Sequence, residues 1–386
     1  ELVRALRSDP SGNLFVLTTT TAASTLRRYD ASFHEAWLVS QDNMAASVAL
    51  RDITVSSDGN VVAVGDAGVI KFAASDGHAL WTRAAIAGKS ITASPNGATI
   101  ALDHGPATGG GIFEYDKDGA LDWHLLEPDL PRFVSVDEHG DIYTNYFHQL
   151  EGGLITYVAK YDVHGHEIWT TGARDLGVDA SVIAPGQVPG TSLFSFIDEV
   201  VTAPYADAVI MRSGAGTGAI GALDRAGGAL WFRNFGSEQS ACISGVKGTF
   251  RQDGISGATA NEADADSPYL SPTLVTRDAV YLSGLYDNLK PVPPSNFLLA
   301  TTTTNFVARY DFSGNVQWFD EFDVTEEPDA GVADFSLGRD SGFSAALPND
   351  ELAVIERSQT TAKTGGWVFL KLSTNDGSLL LTSIPN

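Results

Sequence analysis

Ala159-Lys160-Tyr161-Asp162-Val163-His164-Gly165-His166-Glu167-Ile168-Trp169 reads as a strand, a tight turn and a second strand ending in a buried tryptophan. Apolar and polar residues alternate on both sides of the turn, the period of a half-buried strand. An aspartate at the head of the turn can bond backbone N–H groups two residues on, and the glycine supplies the positive φ that the turn needs. One copy of this phrase predicts a hairpin. Its recurrence along the chain decides the fold.

Gly77 pairs with Trp81, Gly119 with Trp123, Gly165 with Trp169, Gly227 with Trp231 and Gly314 with Trp318. Near the N-terminus Phe33 takes the glycine place before Trp37, and near the C-terminus Gly377 is followed by Leu381. Three residues before the glycine place stand Asp30, Asp116, Asp162, Asp224 and Asp311, while the second and seventh copies read Ala74-Ser75-Asp76-Gly77 and Thr374-Asn375-Asp376-Gly377. Six of the seven tryptophans thus occupy one repeat position, which chance scatter explains poorly. A large aromatic at a fixed place in each unit is expected to bury area against the neighbouring unit. Successive repeat positions lie 44, 42, 46, 62, 87 and 63 residues apart. The first three match the roughly 40–50 residues of a four-stranded propeller blade, and the later ones read as blades with insertions.

The phrase resembles the tryptophan-docking repeat of quinoprotein-like (PQQ-like) β-propellers, approximately A-x-D-x-x-x-G-x-x-x-W, as seen from Ala159 to Trp169, from Ala222 to Trp231 and from Ala308 to Trp318. The resemblance covers almost the whole chain. It implies an all-β fold, a seven-bladed propeller of four-stranded antiparallel blades, and says little of activity, because one propeller architecture hosts many functions.

On this reading one domain fills residues 1–386, with blades at about 1–40, 41–85, 86–127, 128–172, 173–235, 271–322 and 323–386 and an insertion at about 234–270. The chain starts on an innermost strand and ends on an outermost one, so the ring is expected to close by packing blade 1 on blade 7, with no shared strand. Leu381 places the weakest repeat at that seam. Loops between strands two and three, and between blades, emerge on one face of a propeller; the remaining turns emerge on the other. The short Asp-Gly turns fall on the second, plain face. The long segments 103–110, 145–154, 172–193, 234–270, 285–303 and 357–365 fall on the first, among them a loop around Phe147–Gly153 and a Pro-rich insertion at Asp287–Ser295. Binding residues concentrate on loops held by a rigid scaffold, so the elaborated face is the expected binding face.

Forty-eight acidic residues stand against 24 basic ones. This balance argues against non-specific nucleic-acid binding and against docking to an anionic membrane surface. Many of the acids are turn aspartates, so part of the acidity is structural. Cys242 is the only cysteine and excludes an internal disulfide, a cysteine zinc site and a redox pair. No run reaches the roughly 20 apolar residues of a membrane helix. The chain opens on Glu1 and carries no signal peptide, which suggests a processed or trimmed chain; a periplasmic, cell-surface or secreted location of bacterial type is the expectation.

Motifs for chemistry are few. His34, His78 and His166 follow the turn at one repeat position on the plain face, where a metal site is not expected. His104 and His148 sit on elaborated-face segments of adjacent blades and are candidate ligands if they meet. Asn261, Asp264 and Asp266, with Glu262 between them, form an oxygen-rich run that suits calcium, although the glycine and distal glutamate of an EF-hand are missing. No hydrolase elbow, zinc-protease motif or phosphate loop is present, and no cofactor other than calcium is suggested. Tyr146, Phe147, Tyr205, Tyr269, Tyr286, Phe297 and Trp367 are candidate aromatic anchors at the elaborated rim.

The favoured expectation is a non-enzymatic binding or assembly scaffold that engages a protein partner through the loop-rich face. The resemblance in repeat type extends to the propeller lipoprotein of outer-membrane assembly machinery, from which the blade number departs. The alternatives are a divergent quinoprotein dehydrogenase or calcium-dependent propeller hydrolase, and a carbohydrate-binding propeller. Quinoprotein dehydrogenases typically have eight blades and often an adjacent cysteine pair; this chain has seven repeat copies and one cysteine.

Overall fold

The computed structural model describes residues 2–20, 23–40, 49–66, 68–84, 86–103, 110–126, 130–150, 153–172, 197–213, 219–234, 269–270, 273–292, 297–323, 343–358 and 366–383. They form seven antiparallel sheets, each ordered along the chain, arranged as the blades of a propeller. Blade 1 holds β1 (Leu2–Ser8), β2 (Leu14–Thr19), β3 (Ser24–Tyr29) and β4 (Glu35–Ser40). Blade 2 holds β5 (Leu50–Val55), β6 (Val61–Gly65), β7 (Gly68–Phe72) and β8 (Ala79–Arg83). Blade 3 holds β9 (Gly88–Ala93), β10 (Thr99–Asp103), β11 (Gly111–Tyr115) and β12 (Leu121–Leu126). Blade 4 holds β13 (Leu130–Val136), β14 (Ile142–Leu150), β15 (Gly153–Tyr161) and β16 (Glu167–Gly172). Blade 5 holds β17 (Ile197–Ala203), β18 (Ala208–Ser213), β19 (Ala219–Asp224) and β20 (Ala229–Asn234). Blade 6 holds β21 (Tyr269–Leu270), β22 (Leu274–Val275), β23 (Val280–Val292), β24 (Phe297–Tyr310) and β25 (Val316–Asp323). Blade 7 holds β26 (Phe343–Leu347), β27 (Glu351–Ser358), β28 (Gly366–Ser373) and β29 (Leu379–Ser383). No helix among the described residues is long and apolar enough to cross a membrane.

Second strands such as β2, β6 and β10 are buried along their whole length, because a neighbouring blade covers each side. Their sequences, Leu14–Thr19 and Val61–Gly65, accordingly run apolar without alternation. Fourth strands are the outer edge and are largely exposed. The core is therefore divided. Seven apolar clusters form, one between each pair of neighbouring blades. The cluster between blades 1 and 7 joins Val3, Leu6, Leu14, Val16, Tyr29 and Phe33 to Ala345, Leu347, Ala353, Ile355 and Phe369. It closes the ring without a shared strand, as expected.

The repeat turn forms as read. Asp162 Oδ1 accepts the backbone N–H groups of His164 and His166, both at 2.9 Å, and Gly165 sits at φ +80°. Phe33 holds the same left-handed backbone at φ +66° without being glycine.

Three local expectations are corrected. The segment read as a loop around Phe147–Gly153 is a ladder: β14 pairs with β15 from Ile142↔Tyr161 out to Leu150↔Gly153. Similarly, the ladder of β23 and β24 continues to Val292↔Phe297, through most of the Pro-rich stretch. A proline removes one N–H and leaves its neighbours free to pair, and the β-branched run Thr301–Thr304 on the facing strand favours extension. Third, Trp169, like Trp37, Trp81 and Trp123, is half-buried on its outer strand; of the six repeat tryptophans, Trp231 and Trp318 are buried.

Candidate functional site

The innermost strands of all seven blades enclose a central cavity of about 950 Å³. Its wall is assembled from short inner strands, and its lining includes Arg4, Arg7, Arg51, Asp52, Lys89, Ser90, Ser135, Glu199, Thr273 and Ser344. Both acids in this set are engaged in joining blades. Asp52 accepts Arg7 Nη2 at 3.2 Å from blade 1 and Ser90 Oγ at 3.3 Å and Ile91 N at 3.2 Å from blade 3. Burial pushes its carboxyl up, against the opposing pull of Arg7 and of the N–H donors. Glu199 pairs with Arg212 at 2.9 Å, both buried, and its Oε2 accepts the backbone N–H of Thr273 at 2.8 Å. The neutral groups act the same way. Ser135 Oγ and Thr202 Oγ1 lie 3.0 Å apart across blades 4 and 5, and Leu50 N donates to Ser24 Oγ at 2.9 Å across blades 1 and 2. Breaking a buried pair such as Arg212–Glu199 strands a charge, so these contacts hold the ring together.

The plain face is uniform. His34, His78 and His166 each place Nδ1 within 3.4 Å of a turn carboxylate, Asp30, Asp76 and Asp162 respectively. The Asp162 carboxyl is held down to about 2, first by the His166 N–H and then by the His166 ring and the His164 N–H. Third-strand cations tie the other turns of this face, those between strands one and two. Lys71 Nζ reaches Asp58 at 2.7 Å, Lys160 reaches Asp141 at 2.8 Å, Arg309 reaches Asp278 at 2.6 Å and Lys371 reaches Glu351 at 3.0 Å. The sequence reading missed this set. Its signal was present, because Lys71, Lys160, Arg309 and Lys371 all face the repeat position that holds tryptophan or Leu381 in strand four.

The elaborated face carries projecting hairpins. β6 and β7 have five residues each, whereas β23 has 13 and β24 has 14. The extra eight residues or so lift the blade 6 hairpin by roughly 25 Å at the rise of a strand. β14–β15 projects less, with nine residues per strand.

The aromatic candidates divide between these parts. Tyr269, Tyr286 and Phe297 share the blade 6 sheet but do not gather: Tyr269 pairs with Leu285 and Tyr286 with Thr304, whereas Phe297 pairs with Val292 at the tip of the hairpin. Phe147 lies on β14 opposite Thr156, and Trp367 on β28 opposite Arg357. Tyr146 turns inward, stacked on Tyr157 at 5.5 Å and packed against the cluster between blades 3 and 4. Tyr205 is on the plain face, in a single 3-10 turn joining β17 to β18, with Arg277 5.7 Å from its ring centre. Its assignment to the elaborated rim is corrected, since it follows a first strand and not a second.

Asn261, Glu262, Asp264, Asp266, Cys242 and His104 lie outside the described residues, and His148 is placed only as a backbone position on β14. Among the described residues no group of three or more histidine, cysteine or acidic side chains gathers in a metal-binding arrangement.

No known family's sequence profile matches the chain, and no curated protein matches it. Solved structures do. A protein of unknown function from Bacteroides caccae matches over 80% of this chain and 93% of its own, at 12% identity and a TM-score of 0.44. BamB from Moraxella catarrhalis matches over 72% of this chain and 82% of its own, at 13% identity and a TM-score of 0.39. Regucalcin, a calcium-binding protein from Agrobacterium tumefaciens, matches over 73% of this chain and 81% of its own, at 13% identity and a TM-score of 0.43. Likeness at this level extends to architecture alone.

Proposed function

We propose that this propeller is an exported, non-enzymatic binding or assembly scaffold that engages a protein partner through its elaborated face. The observation that carries this reading is the asymmetry of the two faces. One is closed by short hydrogen-bonded turns; the other projects the β23–β24 hairpin, with Tyr286 and Phe297 on its strands. A paired hairpin of this length adds nothing that the blade needs, since β6–β7 completes blade 2 with five-residue strands. Projecting strands on a rigid ring, with Phe297 at the tip and Tyr286 midway along, suit recognition of a second macromolecule.

The test replaces Asp287–Thr303 with Asn-Gly, joining the paired residues Tyr286 and Thr304 through a two-residue turn. Native mass spectrometry of the protein purified gently from its own source is expected to show a stoichiometric second polypeptide. The trimmed variant is expected to lose it while keeping its unfolding midpoint. Retention of the polypeptide by the trimmed variant sinks the reading. A bound organic group or calcium in place of a polypeptide turns it to the enzyme alternative, and binding of glycans alone turns it to the carbohydrate alternative. Export is tested separately, by fractionating the source cells; recovery with the cytosol removes that part.

A further inference from the structure

The innermost strands of blades 1 to 5 share a feature that residue counting does not reveal. Each pairs with its second strand through a register shift that leaves one residue unpaired. The residue is Arg4 in blade 1, Arg51 in blade 2, Lys89 in blade 3 and Arg132 in blade 4. In blade 5 it is Asp198. A bulge re-aims the extra side chain, and one repeated in register re-aims it the same way in each blade. Four successive bulges therefore place four cations at one level of the ring, near the end of the inner strands that faces the elaborated side. Arg4, Arg51 and Lys89 line the mouth of the central cavity. Arg4 and Arg51 are exposed, and Lys89 and Arg132 are half-buried.

This arc stands out against a net charge of −24. An acidic partner is repelled by the surface at large and attracted here, which gives orientation and selectivity together. The partners that Arg4 and Arg51 hold within the chain are replaceable. Arg4 Nε donates to Thr19 Oγ1 at 2.9 Å. Arg51 donates to the exposed Asp66 at 2.6 and 2.9 Å, and an exposed pair of this kind contributes at most about 1 kcal/mol. Dimensions choose among acidic ligands. Neighbouring packed sheets lie about 10 Å apart, so four blades spread their cations over roughly 25–30 Å. A small anion reaches one or two of them. An extended chain at about 3.3 Å per residue crosses all four in eight or nine residues.

We propose that the bulge cations Arg4, Arg51, Lys89 and Arg132 form the docking arc for an extended acidic segment of a partner polypeptide, laid across the channel mouth from blade 1 to blade 4. The inference rests on the reading of the elaborated face as protein-binding and names the chemistry of what binds there.

The probe is a fluorescein-labelled decaglutamate peptide, followed by fluorescence anisotropy on the full chain at low and at high salt. Binding is expected at low salt, weakening at high salt. Arg4→Gln combined with Arg51→Gln is expected to weaken it at least about tenfold. Lys117→Gln, an exposed cation on a plain-face turn, is expected to leave it unchanged. Arg4→Glu alone provides a charge reversal should the double variant fail to fold, and it is expected to abolish binding. Equal binding by wild type and either arginine variant overturns the inference. So does displacement of the peptide by inorganic pyrophosphate at an equal concentration, which converts the site into one for a small anion. If trimming β23–β24 removes the native partner while the arginine variants leave the peptide untouched, the scaffold reading stands and the arc falls.

Discussion

Six of the seven blade interfaces are built one way and the seventh another. In the six, the indole of the outer strand of one blade lies on the turn glycine of the next. A Cβ on Gly119 would sit 2.7 Å from Trp81 Cδ2, and one on Gly314 would sit 2.6 Å from Trp231 Cδ2. The indole N–H then donates to a carbonyl in that turn, as Trp123 does to Val163 at 3.1 Å, Trp169 to Arg225 at 2.8 Å and Trp318 to Thr374 at 2.8 Å. At the matching repeat positions between blades 7 and 1 stand Leu381 and Phe33, neither indole nor glycine. Leu381 is 42% exposed, and the aromatic comes from the turn instead. Phe33 stacks on Phe369 with ring centres 5.0 Å apart, and Tyr29 meets the same ring edge-on at 4.9 Å. Lys371 Nζ lies 5.4 Å from the centre of the Phe33 ring and 3.5 Å from the Ala31 carbonyl, which stands in the turn where the indole acceptors stand in others. The interface thus requires one large aromatic and one donor to one carbonyl, and either blade can supply the aromatic.

The strongest way to break this comparison is Phe369→Ala. Phe369 is fully buried and supports both Tyr29 and Phe33. The expected loss is about 3–5 kcal/mol, read from urea unfolding; a loss below about 1 kcal/mol means that the seam is held by something else. Next is Gly119→Ala, which combines a left-handed backbone with a clash on Trp81. It is expected to cost about 2–3 kcal/mol. Phe33→Gly removes a buried ring but relieves its φ of +66°, for a net loss of about 1–2 kcal/mol. Adding Leu381→Trp to Phe33→Gly rebuilds the common interface, and a favourable coupling of at least about 0.5 kcal/mol is expected. Strict additivity says the two designs are not interchangeable. Trp123→Phe, which removes the N–H donor and a little area, is expected to cost about 1 kcal/mol.

The smallest effect is one that the two kinds of interface should share. The Asp162 carboxyl titrates near 2 and that of Asp30, beside the seam, is also lowered by the His34 and Ser32 N–H groups. Folding makes both stronger acids, so their stabilisation is complete above the ordinary value near 3.8. For Asp162 it drains away as pH falls through about 2, and for Asp30 as pH falls below the ordinary value. Asp162→Asn and Asp30→Asn are each expected to flatten the acid side of the stability profile by a similar amount. A seam variant that behaves differently would mean that its turn, and not only its aromatic, is built on another plan.

The blades were legible because tryptophan is scarce and recurs at a fixed distance from a glycine and an aspartate that each have one job in the turn. Gly165 needs a positive φ, Asp162 bonds two backbone N–H groups, and Trp169 crosses to the next blade. Closure at Leu381 was legible for the same reason. What rescues the seam was not, because Phe369 and Lys371 look like any strand residues until Phe33 meets them across 336 positions of sequence. The hairpins at Phe147 and Asp287 were misread because prolines and polar residues mimic a loop, whereas a ladder tolerates both if its neighbours pair. The cations of the channel mouth were invisible for a further reason. A bulge is a property of two strands in register, and Arg51 or Lys89 alone carries no sign of it.

The tryptophan placement also gives the ring an optical readout. Six indoles each bridge one boundary between blades, with the N–H tied to the neighbour's turn, so the emission of each responds to separation of a single pair. Variants that keep one of the six and carry phenylalanine at the other five would follow opening boundary by boundary. The boundary between blades 7 and 1 holds none of these six chromophores. With phenylalanine at Trp367 as well, a fluorescence melt of this protein therefore weights the six like interfaces and under-reports the one that differs.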